Sequence, residues 1–369
     1  MNQIARFDTH HEDLIHDVAY DYYGKRLATC SSDQRLKVWD FDDDIGSWEI
    51  NEDWKGHDCS IIKVVWAHPE YGQVIASCSF DRTVKIWEEQ EFELKNSQKR
   101  WAEKARLVES RGSVQDIEFS PSHMGLKLAI CAADGIVRIY EAMEVTNIAH
   151  WTQPEEFEIF SPSTGGGGVG GTASLTPATA STVGSGSALR ETEGSYCLSW
   201  YPGKFLSPMM AVGCGKENCA KIFKFDSATN KWFAAEVLGG HEGIVHDIAW
   251  APNMGRSYQL IATACKDHHV RIFKLTEEHV VSGSQTGGPP GSGGINRQPG
   301  IKRFRVETVA NFSDHGAEVW RVEWNVTGTI LSSSGDDGKV RLWKAGLTDD
   351  WRCMSIISAE QRGGDYMDR

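Results

Sequence analysis

No stretch of this sequence is long and apolar enough to cross a bilayer as a helix, and MNQIARFDTHH at the start carries no secretory hydrophobic region. An anchored or exported chain is therefore not expected, and any membrane association would be indirect. Basic charge is also scarce. The 38 Lys and Arg are outnumbered by 51 Asp and Glu, a formal net charge of −13. A surface that grips phosphate backbones needs a basic stripe, so no direct nucleic-acid contact is expected. Cysteine chemistry is thin as well. The nine cysteines are an odd count, and Cys30, Cys78, Cys131 and Cys265 sit inside strand-like runs, as small buried hydrophobes of a reducing compartment do. Cys214 and Cys219 form a C-x₄-C without a second His/Cys pair nearby, which excludes an ordinary zinc site. The glycine run at 165–171 is followed by neither Lys-Ser/Thr nor a helical pattern, so it is not a phosphate cradle. No cofactor and no metal are expected.

What is present is one pattern repeated six times. Asp stands six residues before an aromatic in SSDQRLKVWD (31–40), CSFDRTVKIW (78–87), CAADGIVRIY (131–140), ACKDHHVRIF (264–273) and SGDDGKVRLW (334–343). CGKENCAKIF (214–223) keeps the spacing with Glu217. Upstream of each lies an apolar run ending in an aromatic or Trp: DVAY, KVVW, DIEF, CLSW, DIAW and RVEW. Between the halves runs a third segment such as LATCSS or VIASCS. Period-2 alternation rich in Val, Ile, Thr and aromatics, bounded by turn residues, reads as antiparallel strands, and a period of roughly 50 residues reads as propeller blades. The fold class is all-β, a six-bladed β-propeller, and the whole chain 1–369 is expected to be one domain.

Histidine, hydroxyl and aspartate recur inside these units and invite a hydrolase reading. Repeat one offers His11, Thr29 and Asp33; repeat two His57, Ser77 and Asp81; repeat six His315, Ser333 and Asp337, closing on Trp39, Trp87 and Trp343. Repeat five keeps His241, Thr263 and Asp267 but ends in Phe273; repeat three keeps only Asp134, and repeat four none. An enzyme needs one active site, not the same trio at the same offsets in several repeats. The trios are expected to tie a tight turn to neighbouring strands and to the closing Trp, so no catalytic residue is assigned.

Two segments break the rhythm, 161–194 and 282–300, rich in Gly, Ser and Thr and poor in core-forming residues. Both fall between one repeat's closing aromatic and the next repeat, and they read as disordered surface loops with exposed phosphorylation candidates. A short tail is expected at 358–369.

Counting outer strands gives seven for six inner triplets. Five fall at 48–54, 105–109, 156–160, 232–238 and 303–310. Two candidates remain for blade six, QIARFDT (3–9) and WRCMSII (351–357). If the C-terminal run completes blade six, the N-terminal run is left with an incomplete blade, and the gap could take three strands from another chain. If the N-terminal run completes it, the ring closes on itself. The count favours the first arrangement.

The stretches DLIHDVAYD (13–21), WAHPEYGQVIASCSFDRTVKIWEE (66–89), HMGLKLAICAADGIVRIYEA (123–142), HDIAWAPNMGRSYQLIATACKD (246–267) and VWRVEWNVTGTILSSSGDDGKVRLWKA (319–345) closely resemble WD-repeat nucleoporins of the Y-shaped, outer-ring subcomplex of the nuclear pore, homologues of the thirteenth Sec protein of the COPII coat. The Gly-rich loops suggest a fungal member. The resemblance implies an open six-bladed propeller completed by a three-stranded blade from an α-helical scaffold nucleoporin. Further implied partners are other Y-complex nucleoporins and the subunits of the SEA/GATOR complex, which regulates TOR signalling. The implied places are the nuclear envelope and its pores, and the vacuolar or lysosomal membrane as a peripheral protein. By position, Ile4, Arg6, Phe7 and Asp8 would flank the inserted blade. Two other classes stay open at this point: a COPII-type vesicle-coat subunit, and a closed-ring substrate receptor that reads peptides on its top face.

Overall fold

The computed structural model describes residues 7–160, 196–204, 206–278, 303–346 and 350–358. The expected loops at 161–194 and 282–300, the residues after Ser358, and the interface candidates Ile4 and Arg6 lie outside the described residues.

Six four-stranded antiparallel sheets, each running from inner to outer strand in chain order, build a six-bladed propeller. The inner strands are Ile15–Tyr20, Ile61–Trp66, Val114–Phe119, Leu198–Trp200, Val245–Trp250 and Val319–Trp324. The outer strands are Ser47–Lys55, Trp101–Leu107, Asn147–Glu158, Lys231–Leu238, Arg303–Phe312 and Trp351–Ser358. Among the described residues there is no α-helix, only two 3₁₀ turns at Pro69–Tyr71 and Ser122–Met124. Blade six is completed by Trp351–Ser358, which pairs with Lys339–Ala345 from Ala345↔Trp351 to Lys339↔Ser358. Phe7–Thr9, the described end of the N-terminal run, lie in no strand.

Two outer strands differ from the sequence reading. The one expected at 105–109 begins at Trp101, because that indole is drawn into the seam between blades one and two, stacked 5.8 Å from Trp54 and edge-on to Trp66. The one expected at 156–160 runs from Asn147 to Glu158, since the third strand of blade three continues to Glu144 and turns tightly into it.

The middle strands are packed on both faces, which is why Val74–Ser79 is buried at every residue and reads as a continuous apolar run. Cores form between blades. Ala28, Cys30, Leu36, Val38 and Trp54 of blade one meet Ile61, Val64, Ile75, Trp87 and Trp101 of blade two. Fully burying one such aliphatic side chain contributes about 1.5–3 kcal/mol, so seam packing dominates the favourable side of the balance. The repeated Asp sets the turn between the two middle strands. Its carboxylate accepts the N–H two residues on, at Arg35, Thr83, Ile136, His269 and Lys339, which is an Asx turn. The residue after the Asp has positive φ each time, at Gln34, Arg82, Gly135, His268 and Gly338. Inner strands of blades one, two, three, five and six each carry a bulge just before the same position (Asp17, Lys63, Asp116, Asp247, Arg321), a shift that re-aims the side chain.

Candidate functional site

The histidine networks come first, since the sequence singled them out. In blade two, His57 Nδ1 lies 2.9 Å from Asp81, its Nε2 2.8 Å from Ser77 Oγ, and the Trp87 indole N–H donates to the same hydroxyl at 2.9 Å. Blade six repeats this with His315, Asp337, Ser333 and Trp343 at 2.9, 2.8 and 2.8 Å. In blade one His11 reaches Asp33 at 2.7 Å and Thr29 Oγ1 at 2.9 Å, with Trp39 donating to Thr29 at 3.3 Å. Each hydroxyl thus lies between an imidazole and an indole, buried, with no space for a substrate carbonyl. Ion pairing and its hydrogen bonds hold the Asp337 carboxyl down at about 2 despite the opposing pull of burial.

Blade five departs from this pattern. His241 bonds Thr263 at 2.9 Å, but its Nδ1 has no hydrogen-bond partner, and Asp267 is taken by the Arg271 guanidinium at 2.7 Å and by the Glu242 amide at 2.9 Å. Burial, reinforced by Arg271, pushes the His241 pKa down to about 4. Four residues after the Asp, every blade that has one carries a buried cation, a feature the Asp–aromatic spacing alone hides: Lys37, Lys85, Arg138, Arg271 and Arg341. Lys37 and Lys85 donate to the carbonyls of His10 and Gly56. In blade five the Arg271 guanidinium and the Glu242 amide hold the Asp267 carboxylate and His241 stays apart from it, whereas in blade six Arg341 pairs with Asp337 and His315 keeps its 2.9 Å contact with the same carboxylate. In blade three the Tyr140 hydroxyl donates to Glu109 at 2.7 Å in place of any histidine.

Cys214 and Cys219 stand opposite each other across a hairpin, and with Glu217 their donor atoms lie within 4.8 Å of one another. Lys221 Nζ occupies Glu217 at 2.5 Å, so the third donor is already paired with a cation.

The seams between blades separate one face from the rest. Blade two docks on blade one through the Val64 N–H to Asp17 Oδ2 at 3.1 Å and the Trp66 indole to the Ala19 carbonyl at 2.9 Å. Blades three and four repeat the device at Leu198 to Asp116 (2.9 Å) and Trp200 to Glu118 O (3.2 Å). Blades five and six repeat it at Val322 to Asp247 (3.0 Å) and Trp324 to Ala249 O (3.1 Å). Lys63 carries the blade two to three seam, 3.2 Å from Asp116. Between blades six and one the aspartate is replaced by Arg321, whose Nη2 is 3.4 Å from the His16 carbonyl and 3.9 Å from Asp17.

Burial follows the same division. Val64, Ile117, Leu198, Ile248 and Val322 are 0–4% exposed, whereas Val18 at the same place in blade one is 49% exposed, flanked by Ile15 at 41% and Tyr20 at 59%. Across from it, Val340 and Leu342 of blade six are half-buried, where the equivalent Val84, Ile86, Val270 and Ile272 are fully buried.

Phe7 packs edge-on to Trp39 at 5.1 Å and lies 6.1 Å from Trp48. Trp54, from the outer strand of blade one, does the same to the equivalent pair in blade two, Trp87 at 5.5 Å and Trp101 at 5.8 Å. Phe7 therefore holds the place that the preceding blade's outer strand fills elsewhere. Asp8, beside it, is exposed and accepts the His10 amide. The family resemblance singled out Phe7 and Asp8 by their position in the N-terminal run; the sequence did not point to Val18, Tyr20 or Arg321, whose distinction appears only on comparing six blades position by position.

The WD domain, G-beta repeat family profile matches residues 1–40, 48–88, 234–274 and 306–344. Nucleoporin SEH1 of Saccharomyces cerevisiae is 40% identical, over 96% of this chain and 99% of its own length. Nucleoporin seh1 of Schizosaccharomyces pombe is 42% identical over 96% of both chains, and Nucleoporin SEH1 of Homo sapiens 42% identical over 94% of this chain and 86% of its own.

Proposed function

The chain belongs to the SEH1 nucleoporin family, and from that premise we propose that it is a structural subunit of the nuclear pore, in the outer-ring (Y) subcomplex, holding a partner nucleoporin by accepting β-strands at the seam between blades six and one. One observation carries this reading: the inner strand of blade one exposes Ile15, Val18 and Tyr20 where the five other blades bury the residues at the Val18 position. An exposed apolar strand edge is a liability unless something covers it. Phe7 supplies the outer-strand contact of an incomplete blade, so three further strands would make a blade of four. Such an insertion buries more than about 1,200 Å², the range of stable interfaces. The chain alone is therefore expected to be aggregation-prone.

An α-helical scaffold nucleoporin is the donor that the family resemblance implies, with Ile4, Arg6, Phe7 and Asp8 flanking the inserted strands. The same seam serves the second assembly, SEA/GATOR at the vacuole, by the same mode. The repeated His–hydroxyl–Asp networks fix blade register, and the chain is not an enzyme.

A tagged full-length chain is compared with one lacking residues 1–9, with mass spectrometry of the eluates. One large helical protein recovered in near-equal amount, and lost on truncation, supports the reading. The same partners returning without those residues would shift it to a closed ring that binds on its faces.

A further inference from the structure

The seam also specifies what the incoming strand must carry, an inference that rests on the strand-acceptance reading above. One inner-strand position is equivalent in every blade, the residue just before Val18, Val64, Ile117, Leu198, Ile248 and Val322: Asp17, Lys63, Asp116, Cys197, Asp247 and Arg321. Two regularities hold there. An aspartate accepts the amide of the following blade, as Asp17 does from Val64, Asp116 from Leu198 and Asp247 from Val322. A cation instead meets the carboxylate of the following blade, as Lys63 does with Asp116 at 3.2 Å.

Arg321 is the second such cation. The carboxylate next round the ring is Asp17, at 3.9 Å, and the Arg321 side chain is 34% exposed against 19% for Lys63. On the far side, the Val18 amide has no carboxylate across the seam among the described residues, unlike Val64, Leu198 and Val322 in the same place; Ile117 and Ile248 give their amides to the aspartate just before them. A single carboxylate between the two would meet both needs, pairing with Arg321 as Asp116 pairs with Lys63, and accepting from Val18 as Asp17 accepts from Val64.

We propose that the innermost strand of the partner presents an aspartate or glutamate to Arg321 and the Val18 amide, so that a carboxylate sets its register in the seam. The face of blade six fits a polar inner edge. Ser332 and Ser334 stand where Ala28 and Cys30, Ala76 and Cys78, Ala129 and Cys131, Ala211 and Gly213, and Ala262 and Ala264 line the other seams, and Glu323 stands in the place of Ala19, as Glu118 does in blade three. Five small apolar pairs give way to hydroxyls only here, beside Arg321, whose nearest carboxylate among the described residues, Asp17, is 3.9 Å away against 3.2 Å for Lys63 and Asp116. A partner strand apolar throughout would desolvate Arg321 with only the long 3.9 Å contact to Asp17 as counter-charge, an arrangement disfavoured in a low-dielectric seam.

The test uses the complex isolated from its own cells with the full-length chain carrying a photo-crosslinking residue at Val18; the attached segment is sequenced by mass spectrometry. The expected segment alternates apolar and polar residues and has an acid at the position opposite 321. Arg321→Glu should then lower partner recovery by about tenfold or more, Arg321→Lys should hold it within about twofold, and changing the partner's acid to Lys should restore binding to Arg321→Glu. The rescue separates lost pairing from lost folding. A cross-linked strand without an acid, or full recovery with Arg321→Glu, overturns the proposal while leaving strand acceptance intact. If nothing cross-links at Val18, strand acceptance itself fails, and this inference falls with it.

Discussion

Replacing Thr29 and Thr263 by valine, one at a time, separates the parts of the blade network. The change is nearly isosteric, and both side chains are buried, at 1% and 0% exposure. In blade one the Thr29 hydroxyl serves two partners, His11 Nε2 at 2.9 Å and the Trp39 indole at 3.3 Å. In blade five Thr263 serves only His241, because Phe273 has no N–H to give. A buried polar group left without its partner costs about 1–3 kcal/mol. Thr263→Val should therefore cost about 1–3 kcal/mol, and Thr29→Val about 2–5 kcal/mol, with the indole contributing toward the low end because its bond is long. Urea unfolding followed by tryptophan fluorescence and circular dichroism, with m-values compared to confirm a common transition, reads the difference. Equal destabilisation of the two variants would refute the argument that one hydroxyl joins imidazole to indole. A stabilised Thr29→Val would show that the network imposes strain instead of relieving it.

Two further predictions concern the seams. Glu118 of blade three accepts the Trp200 amide of blade four at 2.8 Å; burial pushes its pKa up to about 8 from an unfolded value near 4.5. Because the folded state holds this proton longer, its contribution is full below pH 4.5 and is lost as pH rises toward 8. Glu118→Gln should flatten that part of the stability–pH curve, measured as urea midpoints between pH 5 and 8. Arg26 bridges blades one and two through Asp40 at 2.9 Å and Glu89 at 2.5 Å, while Gln73 accepts at 2.9 Å. Arg26→Ala leaves Glu89 with only Arg100 and should cost about 3 kcal/mol or more, while Arg26→Ala with Glu89→Gln should recover part of it in a double-mutant cycle.

The strands were legible because each blade repeats the same alternation, and six copies correct one another's ambiguities. The turn Asp and its partners were legible for the same reason, since His57, Ser77 and Trp87 keep fixed offsets from Asp81. What escaped were relations between repeats. Trp101 begins its strand early for a contact with Trp54, some fifty residues away, which no local pattern encodes. The separation of His241 from Asp267 is invisible in the sequence, since blade six has an arginine at the same place and keeps its histidine on the carboxylate. The seam between blades six and one is the sharpest case. Val18 is an ordinary strand valine in the sequence, and its 49% exposure stands out only when the six inner strands are compared, since the equivalent residues of the other blades are 0–4% exposed.

Strand acceptance at that seam is tested most directly by amide hydrogen exchange on the chain alone and in its partner complex. Peptides covering Ile15–Tyr20 and Ile61–Trp66 are structural equivalents in blades one and two. The account predicts that Ile15–Tyr20 exchanges much faster than Ile61–Trp66 in the free chain and slows to match it in the complex. Equal protection of the two in the free chain, unchanged by the partner, would mean that the seam is closed already and that the partner binds elsewhere.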